Sequence, residues 1–302
     1  MNDDLRPETA TNTSRRNVLT AAAWSAPVIA VAAATPFAAA SRCSAQNVSL
    51  NWLNTSASGP IPAENTNATI TRNFVFTQTA QTSPVLPNLN VSVTHSFNGN
   101  ARSANVTTSG TVQVLAQNAT RTTPGGNGIG NVGGTGQPGY TVSQRITANA
   151  ATPGVGAVTA NDYQDVTINF NEDVSNVRFA VADIDRTWNA TTRDFADGVT
   201  VVATTSAGVN VPVVRNPAQP NATIVGAGTA TDPYYRNVDG NISEATAGGN
   251  LSVIAAGPLR TIRIRYRNRG YLLTPTTTSS NTDNNQTIFI TGLTVDRGAR
   301  LC

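Results

Sequence analysis

The sequence predicts an all-β protein, a jelly-roll-like antiparallel β-sandwich, on three observations. Apolar and polar residues alternate with a period of two along most of the chain. Thr (44 residues) and Asn (33) make a quarter of the 302 residues, and β-branched Thr and Val suit pleated, half-buried strands. No amphipathic helix is legible after residue 40. The charge content points the same way: at 12% it excludes coiled coils and helical repeats, which are rich in Glu and Lys. Apolar alternation excludes a charge-driven disordered chain. All 20 basic residues are Arg, and the net charge of +3 is too small and scattered to imply a nucleic-acid partner.

Residues 1–40 read as a targeting segment outside the fold. A polar start leads into Ser14-Arg15-Arg16-Asn17-Val18-Leu19-Thr20, then a mild, Ala-rich stretch broken by Pro27 and Pro36, then Ala38-Ala39-Ala40 before Ser41. The stretch is too interrupted for a membrane span. Arg15 and Arg16 ahead of it resemble the twin-arginine export motif, departing at Val18, where Phe is commoner. The whole run resembles signal segments of secreted actinobacterial proteins. The resemblance implies the twin-arginine export machinery as a partner, cleavage before Ser41 and a secreted or cell-wall-associated product; a Sec signal or an uncut anchor is the plainer alternative. Arg42 before Cys43 spoils a lipoprotein site, and Leu301-Cys302 follows no apolar tail, so no stable membrane anchor is expected.

Residues 41–302 are expected to form one β-sandwich domain. Cys43 and Cys302 lie at its two ends, and an even pair in an exported protein favours a disulfide. Strands are expected at 67–79 (Ile70, Phe74, Phe76), around Leu89, Val91, Val93 and His95, and around Val112 and Val114. Others fall at Val166, Ile168 and Phe170, at Ile262, Ile264 and Tyr266, and from Thr287 to Val295. Between them lies a Gly-rich loop, 124–139. Its Gly128-Ile129-Gly130-Asn131-Val132-Gly133 has the spacing of a dinucleotide fingerprint, but the glycines and Pro that follow let no helix start, so it reads as a loop.

Chemistry-bearing groups are sparse. His95 is the one histidine, inside a strand, and reads as a surface or satisfied core residue. Eight of the 14 carboxylates after residue 40 fall between 162 and 197. In Val177-Arg178-Phe179-Ala180-Val181-Ala182-Asp183-Ile184-Asp185, alternation carries Asp183 and Asp185 onto the apolar face. Together with Asp194 and Asp197 they are the candidate calcium ligands, since calcium takes six to eight oxygens; pairing with Arg178, Arg186 or Arg193 is the plainer alternative. Alternation also places Arg263, Arg265, Arg267 and Arg269 on one strand face. That row reads as a strip for an acidic cell-wall polymer or, more plainly, as a solvated face paired with Asp on neighbouring strands.

The order Val166–Phe170, Val174–Phe179, Asp183-Ile184-Asp185, Asp197-Gly198-Val199-Thr200-Val201 and Ile288–Val295 resembles that of bacterial surface jelly-roll-like modules. It implies an extracellular module with no reaction attached. Two functions compete: a non-catalytic secreted or cell-envelope protein (adhesion, structural or glycan-binding, with a cell-wall or extracellular polysaccharide as partner), and a carbohydrate-active enzyme using paired carboxylates. The discriminator is whether a cleft holds two carboxylates flanked by an aromatic. Replacing Arg15 and Arg16 together by Lys should trap precursor inside the cell, read by immunoblot of cell and medium fractions; normal secretion of that variant would overturn the twin-arginine route.

Overall fold

The computed structural model describes residues 46–52, 55–60, 65–76, 86–104, 131–136, 139–149, 152–153, 158–188, 193–273 and 286–298. They contain eighteen strands, every pairing antiparallel, and no α-helix. In chain order these are β1 (Gln46–Leu50), β2 (Thr55–Ser58), β3 (Ile70–Phe76), β4 (Leu89–Asn98), β5 (Ala101–Ser103), β6 (Tyr140–Asn149), β7 (Thr152–Pro153), β8 (Tyr163–Ala182) and β9 (Arg186–Trp188). There follow β10 (Arg193–Thr204), β11 (Asn210–Val211), β12 (Val213–Arg215), β13 (Ile224–Val225), β14 (Tyr235–Arg236), β15 (Leu251–Ala255), β16 (Leu259–Asn268), β17 (Gln286–Ile290) and β18 (Leu293–Arg297). Cys43, Cys302, the segment 1–40, Val112 and Val114, and most of the Gly-rich loop lie outside the described residues.

β8 organises the rest. The sequence reads as two short strands, 166–170 and 174–179, yet the chain runs as one strand of 20 residues. Its first half lies between β4 (His95 opposite Val166) and β16 (Ile264 opposite Val166). Its second half lies between β15 (Val253 opposite Phe179) and the β17–β18 segment (Ile290 opposite Val181, Thr294 opposite Arg178). β3 and β2 extend the first half beyond β4, and β10 and β11 extend it beyond β16. On the second half β12 extends β15, β1 flanks β18, and β6 with β5 flanks β17.

The corner between the halves is a bulge. Val174 faces Leu259 and Asn169 faces Thr261, so four residues of β8 stand against Arg260 alone. Arg260 stitches them, its Nε donating to Asp173 (2.9 Å) and its Nη1 to the Asn171 carbonyl (2.8 Å). From the far side the fully buried Arg297 donates Nε to Glu172 (2.6 Å) and Nη1 to the Pro87 carbonyl (2.7 Å).

Alternation then assigns the faces. Val166, Ile168 and Phe170 point inward with Val91 and Val93 of β4 and Ile262, Ile264 and Tyr266 of β16. Val177, Phe179 and Val181 join Leu251, Val253, Ile290, Leu293 and Val295 in the same core cluster. Each fully buried aliphatic side chain contributes about 1.5–3 kcal/mol. Trp52, fully buried, joins the halves: its ring lies 5.3 Å from Phe74 of β3 and 5.1 Å from Tyr140 of β6, centroid to centroid.

Trp52 also closes a gap in the hydrogen bonding. The sequence predicts one last strand, 287–295, but the chain breaks at Thr291–Gly292 between β17 and β18. The Trp52 indole N–H donates to both carbonyls at the break, Ile290 (3.0 Å) and Thr291 (2.9 Å). A side chain at position 292 would press on the Leu50 carbonyl, which a Cβ would meet at 2.9 Å, so glycine fits there. Trp52→Ala should destabilise the protein by about 3–5 kcal/mol. Trp52→Phe keeps the ring but strands the carbonyls and should cost about 1–3 kcal/mol. Urea unfolding followed by circular dichroism measures both; equal losses would deny the indole N–H any share.

Candidate functional site

On its outward face the second half of β8 presents Arg178 and Ala180, since Val177, Phe179 and Val181 take the core. Register brings Thr294 of β18 opposite Arg178 and Ser252 of β15 opposite Ala180. These residues floor a cleft of about 570 Å³. Ala180 is small, which leaves the floor open between its larger neighbours.

Two loop clusters wall the cleft. One is the turn 216–221, where Asn221 fans out: its Nδ2 donates to the carbonyls of Ala247 (3.1 Å), Gly248 (3.1 Å) and Asn250 (3.2 Å). Its Oδ1 accepts from the Thr223 amide (3.1 Å) and hydroxyl (2.7 Å), so one side chain holds two loops together. The other wall is the end of the Gly-rich stretch, a single 3₁₀ turn at Val132–Gly134. Gly133 has φ of 60° and lies so close to Asn250 that a Cβ would meet that side chain at 2.5 Å. Its amide donates to the Glu244 carbonyl (2.8 Å), and its carbonyl accepts from Asn250 Nδ2 (2.9 Å). Val132 is buried beneath with Ala182 and Phe289.

While the walls are bonded, the floor is not. Arg178, Ser252 and Thr294 form no side-chain hydrogen bond or ion pair with another described residue. Among the described residues the lining holds one cation, Arg178, and no carboxylate. A second, shallower groove of about 380 Å³ crosses β3, β4 and β8 on the other half, edged by Asn73, Asn90, Ser92, Asn169 and Asn171. Trp52 and Trp188, the tryptophans available for sugar stacking, are both buried in the fold.

The acidic residues are placed elsewhere. β8 ends at Ala182, and Asp183 turns left-handed at φ of 67°. Alternation therefore does not continue through Asp183, and Ile184 is fully buried. Asp185 and Asp197 come together, both buried: the Asp185 amide donates to Asp197 Oδ2 (3.2 Å), and the Asp197 amide donates to the Asp185 carbonyl (3.0 Å). Asp197 Oδ1 accepts from the Tyr266 hydroxyl (2.7 Å), and Asp185 Oδ2 accepts from the Ile242 amide (3.0 Å). Burial pushes the Asp185 carboxyl up to about 6. It pushes Asp197 well above the carboxylate range, helped by the charge of Asp185. Tyr266 is raised by its burial, then by Asp197. Asp194 offers its main-chain carbonyl to Asn268 (3.1 Å). Among the described residues no group of three or more His, Cys, Asp or Glu is placed to hold a metal ion. Of the cations near in sequence, Arg186 lies 3.5 Å from Asp239, and Arg178 faces the cleft instead.

The arginine row is largely absorbed into the sheet. Arg265 forms two bonds to Asp165 on the neighbouring strand, 2.8 Å each, and its guanidinium lies 3.7 Å from the Tyr163 ring centroid. Arg267 is buried and donates to the Ala230 carbonyl (2.9 Å) and the Tyr271 hydroxyl (3.0 Å). Arg269 has left the strand for a 3₁₀ turn, where it lies 3.4 Å from the Tyr235 centroid. Arg263 stays exposed. His95 is a buried core residue: it bonds Tyr140 Oη through Nε2 (2.5 Å) and Gln164 Nε2 through Nδ1 (2.7 Å). Burial, then Arg72, lowers it to about 4.

The chain matches no protein-family model and no curated protein. The class defined is an all-β, antiparallel-sheet protein.

The acid pair has a consequence for stability. Because burial raises both carboxyls, the folded state favours the proton. Their contribution is complete below the ordinary carboxylate range and is lost as pH rises through about 6 and beyond. Each group adds a slope of up to about 1.4 kcal/mol per pH unit within its interval. His95 runs oppositely, losing stability as pH falls from its ordinary value through about 4. Asp197→Asn should therefore flatten the decline above pH 5 and leave the acid limb unchanged, measured by urea unfolding from pH 4 to 9. An unaltered profile would show that the pair is not protonated in the folded state.

Proposed function

We propose that this chain is an exported, non-catalytic polysaccharide-binding protein of the cell surface or its surroundings. The observation that carries the reading is the walled cleft over β8. Its floor offers a guanidinium and two hydroxyls that form no side-chain bond with another described residue, and its walls, braced by Asn221 and Asn250, hold the cleft in shape. Such groups match sugar hydroxyls, and a few convergent polar groups in a preformed cleft are what orient a ligand. The faces that meet across one core support a jelly-roll-like sandwich. Arg15 and Arg16 support export by the twin-arginine route.

The proposed Cys43–Cys302 disulfide has support from register. Gln46 faces Arg297 in the β1–β18 pair. Facing residues in such a pair lie about 4.5–5.5 Å apart, and the cysteines follow within a few residues on each side. An enzymatic reading would need a carboxyl pair at a cleft. Asp185 and Asp197 are instead buried against Tyr266 and the Ile242 amide.

Screening the purified protein against cell-wall and extracellular polysaccharides, followed by calorimetry on the best binder, tests the proposal. Ser252→Trp fills the floor from an outward-facing position and should weaken binding at least about tenfold, a loss of about 1.4 kcal/mol, with the melting temperature unchanged. Full binding by that variant would move the site away from the cleft; no binding to any polysaccharide would overturn the function.

A further inference from the structure

We infer that the cleft selects an acidic saccharide, a polymer of uronic acid whose carboxylate is held by Arg178. The inference rests on the polysaccharide reading above and adds the charge of the ligand. Arg178 is exposed on the cleft floor with no side-chain bond to a described residue. Contrast Arg265, on the same kind of outward position one sheet-half away, which is neutralised by two bonds to Asp165. Arg263 also faces outward and is exposed, so what sets Arg178 apart is its place on the floor of the cleft. A guanidinium held beside a concave polar wall recognises planar carboxylates through paired N–H donors. Thr294, directly opposite, and Ser252, opposite Ala180, supply hydroxyls for the sugar ring.

The number of charges narrows the class. Among the described residues the lining contains a single cation, which suits the single charge of a carboxylate better than the multiple charges of a densely sulfated or phosphorylated group. The nearest outward carboxylate on β18 is Asp296, two residues past Thr294 and outside the lining. It is occupied by Asn176 Nδ2 (2.7 Å) and Asn47 Nδ2 (2.8 Å). These two bonds, and after them the nearby charge of Arg178, lower its pKa, so Asp296 stays charged near the guanidinium without an ion-pair contact to it.

The experiment compares an oligogalacturonate with the same oligomer fully methyl-esterified, which keeps the sugar and removes the charge. Calorimetry with the wild-type protein should give at least about tenfold tighter binding of the acid form, the worth of a charge-assisted contact. Arg178→Gln should bring the two ligands level, and Arg178→Lys should retain part of the preference. Asp296→Asn should strengthen binding of the acid form alone. Equal wild-type affinity for acid and ester would overturn the charge inference and leave the polysaccharide reading standing. A preference that survives Arg178→Gln would overturn the role of Arg178. Binding of neither oligomer would overturn the uronate assignment, while binding of another polysaccharide in the wider screen would still uphold the cleft's general function.

Discussion

One bulged strand serving two sheet halves is the constraint on which the remaining architecture depends. The bulge at 170–173 breaks the β8–β16 ladder, and two arginines close it from opposite sides. The two are not equivalent. Arg260 and Asp173 are partly exposed, and such a pair adds little. Arg297 is fully buried, so it must keep its partners; removing Glu172 would leave an uncompensated charge, which costs about 3–5 kcal/mol in comparable sites. The buried arginine therefore fixes where β18 meets β8, and with it the register that sets Thr294 beside Arg178.

The same strand shows how context decides the fate of a polar side chain. On the first half, outward Asp165 meets Arg265, and outward Thr167 and Asn169 continue ladders such as Thr71–Thr94 (2.9 Å) and Asn169–Thr261 (2.9 Å). Past the corner, outward positions carry Arg178 and Ala180, flanked by short hydroxyls and overhung by loops. A face whose polar side chains pair with one another thus gives way to a walled, open one within a single strand. The walls come from residues far apart in sequence, joined by Asn221 and by the Gly133–Asn250 contact.

Much of this fold was legible in alternation. Leu89, Val91, Val93 and His95, and Ile262, Ile264 and Tyr266, point inward as the pattern requires. Where alternation misled, a local backbone feature intervened. Asp183 turns left-handed and ends β8, Thr291–Gly292 splits the last strand, and the 269–272 turn takes Arg269 off its row. The bulge at 170–173 hid the continuity of β8, because the three polar residues Asn171, Glu172 and Asp173 look like a loop in sequence. The cleft was not legible at all. Arg178 reads as an ordinary outward residue, and nothing in its neighbours announces that residues 132–135, 216–221 and 247–250 converge over it.

The pairing of β1 with β18 has a mechanical side. Gln46, where β1 begins, lies opposite Arg297, where β18 ends, and the ladder runs from there to Leu50 and Leu293. Tension applied through the flanking chain at these two points would load the hydrogen bonds one after another rather than together. The strands would then peel apart like a zipper, the weaker of the two ways to pull a sheet.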